Sequence, residues 1–465
     1  MAAFKRNYIF PVMLFTCFFF CFSAEAVVLK AGTAKGEITP AQKKGRVLVM
    51  GNESQGVMDS INARVLTLFD GKKRLVLVSY DLNCLDVATP ILRVRCRDEL
   101  GIDPAYLVLM ATHNHGAPIQ IVPDNFDYGN WLADRIFELI EEAIADESGP
   151  ARVWFGSGRG MFLYATGGHS VDQEIQLIKV NIGEETKAVL FNHATHPMQA
   201  SFWRIEPGHP GHAMDYIEKK VPGAVALYTD ACGGNQFPWL GFTMLSPRPA
   251  VRILGKAVGR KALRISRGEL VEVTGEIWSS LEVIPLPLAP PITYEEALAL
   301  AEEEGVDMDL GFVPYPHPQR KYNWIRNLVR HYEKDIPFPE VTTDRVCTDD
   351  GFLVRELPKP REYPCYYEET IVARIGPLLF VSMQGEVTAP IGKAIKDRYG
   401  NAPLWVSAYM GEHNLYIPTK KLVEKDAYQS RVIRIQYASP VGWSTEVEKE
   451  MVEGVSHMID NALTQ

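Results

Sequence analysis

The chain has 465 residues, 46% of them hydrophobic and 23% charged, with a formal net charge of −9. That balance supplies ample material for a core, and the absence of long basic runs excludes nucleic-acid binding and adhesion to an anionic membrane. The first residues stand apart: Lys5 and Arg6 are followed by an apolar run from Tyr8 to Phe22, then Ala24-Glu25-Ala26. This is the pattern of a secretory signal peptide over residues 1–26, too short and wrongly flanked for a membrane span, with a retained anchor as the alternative. Phe20 before Cys21 argues against a lipoprotein. No later apolar stretch is long enough for a membrane helix, so the expectation is a secreted or periplasmic protein with no transmembrane segment in its mature part. After the leader come Cys84, Cys96, Cys232, Cys347 and Cys365, with no CxxC pair. Cys347 and Cys365 lie in loop-like sequence where an oxidising compartment would allow a disulfide.

In chain order, Ile61 to Phe69 and Arg74 to Tyr80 are β-rich runs joined at Asp70-Gly71, a hairpin signal. Tyr106 to Ala111 is a short apolar strand that ends at a histidine motif. Residues 130–144 carry apolar positions at helical spacing. Ile175 to Ile182 and Val189 to Phe191 read as strands, and so does Ala224 to Tyr228 before Cys232-Gly233-Gly234. From about Pro285 to Pro364 proline-rich and aromatic segments flank two helices, the texture of an inserted cap or linker. Glu369 to Met383 reads as a hairpin broken at Gly376-Pro377, followed by a strand from Leu404 to Ala408 and a helix from Thr445 to Leu463. The fold class is α/β, with mixed β-sheets, flanking helices and candidate site residues at strand ends.

Two histidine clusters mark those ends: Thr112-His113-Asn114-His115-Gly116 and Asn192-His193-Ala194-Thr195-His196-Pro197. Neutral imidazole is a good zinc ligand, and loops at strand ends are where α/β proteins place their sites. An HxH pair taken alone is more often structural or incidental than a metal site. Glu386 alone would be a helix-start carboxylate, Tyr416 and Tyr428 core tyrosines, and Arg159 a surface loop arginine. His193, His209 and His212 read mostly as surface or loop histidines.

Taken together and in order, several blocks resemble the neutral ceramidase family along most of the chain after residue 26. They are Ala31-Gly32 to Ile38-Thr39-Pro40, then Asp59, the hairpin and Asp81. Next come the Ala-Thr-His-x-His block over 111–118, Arg159 with Val171-Asp172, and Asn192 to Pro197. Gly385-Glu386 and Tyr416-Ile417-Pro418-Thr419, with Tyr428 twelve residues after Tyr416, close the series. The resemblance implies a Zn²⁺ held by His113, His196, Glu386 and Tyr416, with His115, Arg159 and Tyr428 as catalytic or substrate-contacting groups. It also implies a catalytic region over 27–285, interrupted by an inserted cap or linker over 286–366 and resumed over 367–465.

Three departures separate this chain from the family pattern. Phe237 stands where the family has its catalytic serine, with Asn235 in place of an aspartate. Gly208 replaces the aspartate of the family's Asp-x-Pro-Gly stretch, and little sequence follows Tyr428 where full-length ceramidases carry a C-terminal sandwich domain. The leading expectation is therefore a zinc-dependent hydrolase of an amide or ester bond using metal-activated water. A second is a metal-assisted lyase or dehydratase acting by β-elimination on uronic-acid-containing oligosaccharides, favoured by the lost serine and the aromatic, basic residues Tyr315, His317, Arg320, Tyr322, Trp324, Arg326, Arg330 and His331. A third is a non-catalytic binding protein. The partner expected is a small-molecule, lipid-amide or oligosaccharide substrate.

Overall fold

The strongly apolar runs of the sequence assemble into one large mixed sheet in the computed structural model. It describes residues 27–465 except 42–43, 50–51, 121–124, 240–243, 314–316, 337, 339–340, 343–344, 347–352, 355–364, 401 and 412–414. The leader, Cys347 and Tyr315 thus lie outside the described residues. From one edge the strands run Val225–Asp230, Glu185–His193, Glu174–Ile182, Ser148–Arg159, Leu29–Glu37, Asn62–Phe69 and Arg74–Tyr80. They continue through Leu107–Ala111, Leu404–Met410, Leu378–Gln384 and Cys365–Ile375 to Ile277–Pro287 at the other edge. Pairings are mostly antiparallel. Arg74–Tyr80 with Leu107–Ala111, Leu378–Gln384 with Leu404–Met410, and Glu185–His193 with Val225–Asp230 are parallel.

The sheet doubles back on itself, and two buried amides hold the fold. Gln176 Nε2 donates to the Leu404 carbonyl (2.7 Å), while Gln176 Oε1 accepts from Val406 N (2.9 Å). Asn192 Nδ2 donates to Gln176 Oε1 and to the Val406 carbonyl, both at 3.0 Å. Deeper in, Ser79 Oγ donates to the Tyr228 carbonyl at 2.5 Å. Every one of these groups would be costly to bury unpaired, so the two halves are locked in one register. That register brings the ends of Leu107–Ala111 and Glu185–His193, and with them both histidine clusters, to one place.

Helices Gly208–Lys220 and Pro247–Ile265 cover the doubled-back strands through Met214, Ile217, Leu254 and Val258 against Leu177, Phe191 and Tyr228. Helices Ala88–Leu100, Phe126–Ala145, Ala389–Arg398 and Val447–Leu463 enclose the main core. Ile277–Pro287 and Cys365–Ile375 pair along their whole length, from Ile277 opposite Ile375 to Pro287 opposite Cys365. The intervening segment therefore leaves the sheet edge and returns to it. Its helices Tyr294–Glu303 and Asn323–Glu333 share a small core of Ala297, Ala301, Trp324, Ile325, Leu328 and Val329.

The predicted hairpin, the two helices of that excursion and the C-terminal helix stand where the pattern puts them. The helix expected over residues 130–144 begins earlier, at Phe126, and the strand expected over Val189 to Phe191 extends over Glu185–His193, its polar start hiding it. His193 and His209 are not surface residues but fully buried, which corrects that expectation.

One ion network pins the helix layer to the sheet. Arg64 is wholly buried and meets Asp81 (3.2 Å), Asp215 (3.1 Å) and Glu218 (3.2 Å), the last two on helix Gly208–Lys220. Burial pushes the Asp81 carboxyl up to about 6 even though Arg64 pulls the other way. Arg64→Met should cost about 3–5 kcal/mol at pH 7, the scale of leaving a buried charge unpaired. The loss should shrink as pH falls from 7 toward 5, because the Asp81 carboxyl, at about 6 beside Arg64, rises further without it and takes up a proton in that range. Denaturant unfolding at pH 7 and pH 5 checks both statements.

Candidate metal centre

Strand Leu107–Ala111 is buried along its length, and the chain leaves it in a tight turn rather than continuing extended. His113 has φ +51°, a left-handed conformation that costs a β-carbon-bearing residue about 1–2 kcal/mol. Asn114 secures the turn. Its Nδ2 donates to the carbonyls of Asp81 (3.0 Å) and Glu206 (2.6 Å), and its Oδ1 accepts from Gly116 N (2.8 Å). The result aims both imidazoles of the HxH pair at one point, with His115 Nε2 and His113 Nε2 3.1 Å apart.

His196 arrives from the second cluster. Its Nδ1 lies 3.2 Å from the Gly233 carbonyl, which can only accept, so Nδ1 carries the hydrogen and Nε2 is left with its lone pair. Glu386 and Tyr416 come as a pair, because the two-residue strands Glu386–Val387 and Tyr416–Ile417 run parallel with Glu386 opposite Tyr416. Two glycines permit the approach: a β-carbon on Gly385 (φ +78°) would meet the Leu415 carbonyl at 2.6 Å, and one on Gly234 would meet the Glu386 carbonyl at 2.3 Å.

Glu386 Oε2 then lies 3.2 Å from His113 Nε2 and 3.0 Å from His196 Nε2, and Tyr416 Oη lies 2.9 Å from His196 Nε2. Glu386 Oε2 is buried, and neither imidazole meets it in hydrogen-bond alignment. Crowded lone pairs around an orphaned carboxylate oxygen are what a cation fits, and the N and O donors suit a divalent metal. His113, His115 and His196 alone place one nitrogen each within 4.8 Å of one another, so His115 is near enough to be a ligand as well.

The electrostatics agree. Burial lowers the affinity of His113 for a proton, partly offset by Glu386, and burial with two imidazole neighbours lowers that of His115 further. Burial would raise the Glu386 carboxyl, but positive charge at the His113 and His196 positions holds it well below the usual range, and a cation between them would supply that charge while both imidazoles stay neutral. Burial and Glu386 push the Tyr416 phenol well up, so a metal there must displace its proton.

The structure thus brings His113, His196, Glu386 and Tyr416 together, with His115 beside them. Tyr428 stands at the rim, half exposed, its ring 5.9 Å from Tyr416. Arg159 is exposed at the end of its strand, opposite Glu174, and among the described residues no hydrogen bond or ion pair joins it to the cluster. Phe237 does reach the site, stacked on His196 at 4.9 Å and facing Tyr164 at 5.9 Å. Two neighbours escaped sequence reasoning. Asn83 Nδ2 sits 3.3 Å from His113 Nδ1, and the Tyr409 ring lies 4.4 Å from that of His113. Neither belongs to a spacing pattern that could have singled it out.

No protein-family model matches the sequence, and no curated protein does. Solved structures do match. The neutral ceramidase from Pseudomonas aeruginosa superposes with a TM-score of 0.65 at 18% identity, covering 92% of this chain and 73% of that one. A ceramidase complexed with C2 gives 0.64 at 17% identity, covering 92% and 74%. The fold is that of the neutral ceramidases. Identity this low speaks for the fold and not for the substrate.

Purified protein should therefore hold about one metal ion per chain, and His113→Ala and His196→Ala should lose most of it. Elemental analysis after dialysis checks this; equal metal in all three proteins would contradict it.

Proposed function

We propose that this protein is an extracytoplasmic zinc-dependent hydrolase of an amide or ester bond, working through metal-activated water. The observation that carries the reading is the convergence of His113, His196, Glu386 and Tyr416 within a neutral ceramidase fold. Location outside the cytoplasm rests on the leader pattern of residues 1–26; among the described residues no helix is long and apolar enough to cross a membrane.

Bound there, zinc would supply an acidified water and a Lewis acid for the acyl oxygen. The chain's own groups do the rest. His115, half-buried beside the cluster with its proton affinity lowered by burial, would take a proton from the nucleophile and pass it to the leaving group. Tyr428 keeps its proton, since burial and Glu386 raise its phenol, and can donate to an oxygen that gains charge. Arg159 has a long, exposed side chain with no hydrogen-bond or ion-pair partner among the described residues, which suits a substrate contact made only on binding.

A covalent intermediate is disfavoured. Phe237 replaces the family serine, and Cys232 is buried with its thiol pushed up to about 12 by desolvation, too high for a nucleophile at neutral pH. Phe237 also keeps elimination on an acidic oligosaccharide as a second reading. The basic and aromatic residues once in its favour are partly spent inside the excursion: Arg326 bonds to the Gln319 carbonyl and Asn323, and Trp324 is buried. That excursion packs on helix Tyr428–Ile435, with Arg320 bonded to the Gln436 carbonyl, which supports reading it as a cap beside the site.

A screen of lipid amides, simple esters and acidic oligosaccharides, with and without chelator, tests the proposal. Expected are chelator-sensitive hydrolysis without a burst, and a drop of at least about tenfold for Arg159→Ala or Tyr428→Phe with metal content kept. A product with near-ultraviolet absorbance from an oligosaccharide would transfer the assignment to elimination.

A further inference from the structure

Tyr409 holds a backbone conformation that tyrosine disfavours. Strand Leu404–Met410 follows Leu378–Gln384 in register as far as Ser382 opposite Ser407, then slips so that Gln384 faces Met410. At the slip Tyr409 takes φ +61°, the left-handed region that glycine enters without strain. The residue is buried, and among the described residues its phenol oxygen has no hydrogen-bond partner. The Tyr409 N–H donates to the Gly385 carbonyl at 3.0 Å, next to Glu386, and its ring lies 4.4 Å from that of His113 at a tilt of 41°. His113 is itself in the left-handed region, so two strained residues pack on each other at the cluster.

We propose that Tyr409 is a positioning residue: its ring clamps the His113 imidazole while its backbone fixes the Gly385-Glu386 turn, so that two donors from separate loops are aimed before a metal arrives. Local strain kept at such a place is a mark of preorganisation. The inference rests on reading the cluster as a metal site.

The test uses Tyr409→Phe, Tyr409→Leu and Tyr409→Gly in the full-length protein. Zinc affinity is measured by chelator competition, and ligand geometry by the visible spectrum of the cobalt-loaded protein. Phe should keep both readouts unchanged, because it keeps the ring. Leu, which fills the space without a planar face, and Gly, which removes the strain, should each lower affinity about 10–100-fold and alter the cobalt spectrum, the scale seen when a ligand loses its orienting partner. Should Gly fail to fold, Leu decides. A folded Leu or Gly variant with wild-type affinity and spectrum overturns the positioning role while leaving the metal site standing. Wild-type protein that binds neither zinc nor cobalt overturns both.

Discussion

Lone pairs repel, and this fold forces several of them together. Around Glu386 Oε2 stand the Nε2 atoms of His113 and His196 at 3.2 and 3.0 Å, with the Tyr416 oxygen 2.9 Å from His196. Left alone, a buried carboxylate without aligned donors is an expensive arrangement. Yet hydrogen bonds from further out hold it: Asn114 braces the turn after His113, the Gly233 carbonyl orients His196, and the Glu386–Tyr416 ladder fixes the remaining two. A positive ion among them turns the same crowding into attraction. The rest of the molecule can be read as the frame for that arrangement, beginning with Gln176 and Asn192, whose amides fold the sheet back and bring the two histidine clusters face to face.

Part of this was legible in the sequence. A strand that stops at a histidine is visible in Leu107 to His113, and the Arg74–Tyr80 hairpin partner is plain from its β-rich composition and the Asp-Gly turn before it. Other features have no local signature. Glu386 and Tyr416 meet through two-residue strands, too short to show any period. The long strand Ser148–Arg159 is masked by Gly149, Pro150, Gly156 and Gly158. Helix Gly208–Lys220 opens on Gly-His-Pro-Gly, which reads as a loop, and so His209 was expected at the surface although it is buried. Doubling of the sheet depends on buried amides that pair across more than two hundred residues, a distance at which sequence pattern carries no information.

Phe237 is where the fold and the chemistry part company. Its ring covers one face of His196, in the place where the family resemblance leads one to expect a serine. An aromatic face there excludes water from one side of the cluster and offers no proton and no nucleophile. Four donor-type side chains converge while the hydroxyl is gone, and Phe237 lies between His196 and Tyr164 beside them.

Whether the four donors share one ion is tested most directly by anomalous X-ray scattering from crystals grown with zinc and collected on both sides of the zinc edge. A single strong peak is expected within about 2.0–2.3 Å of His113 Nε2, His196 Nε2, a Glu386 oxygen and the Tyr416 oxygen. A zinc peak bound elsewhere, or none at the cluster in zinc-saturated crystals, would contradict that expectation.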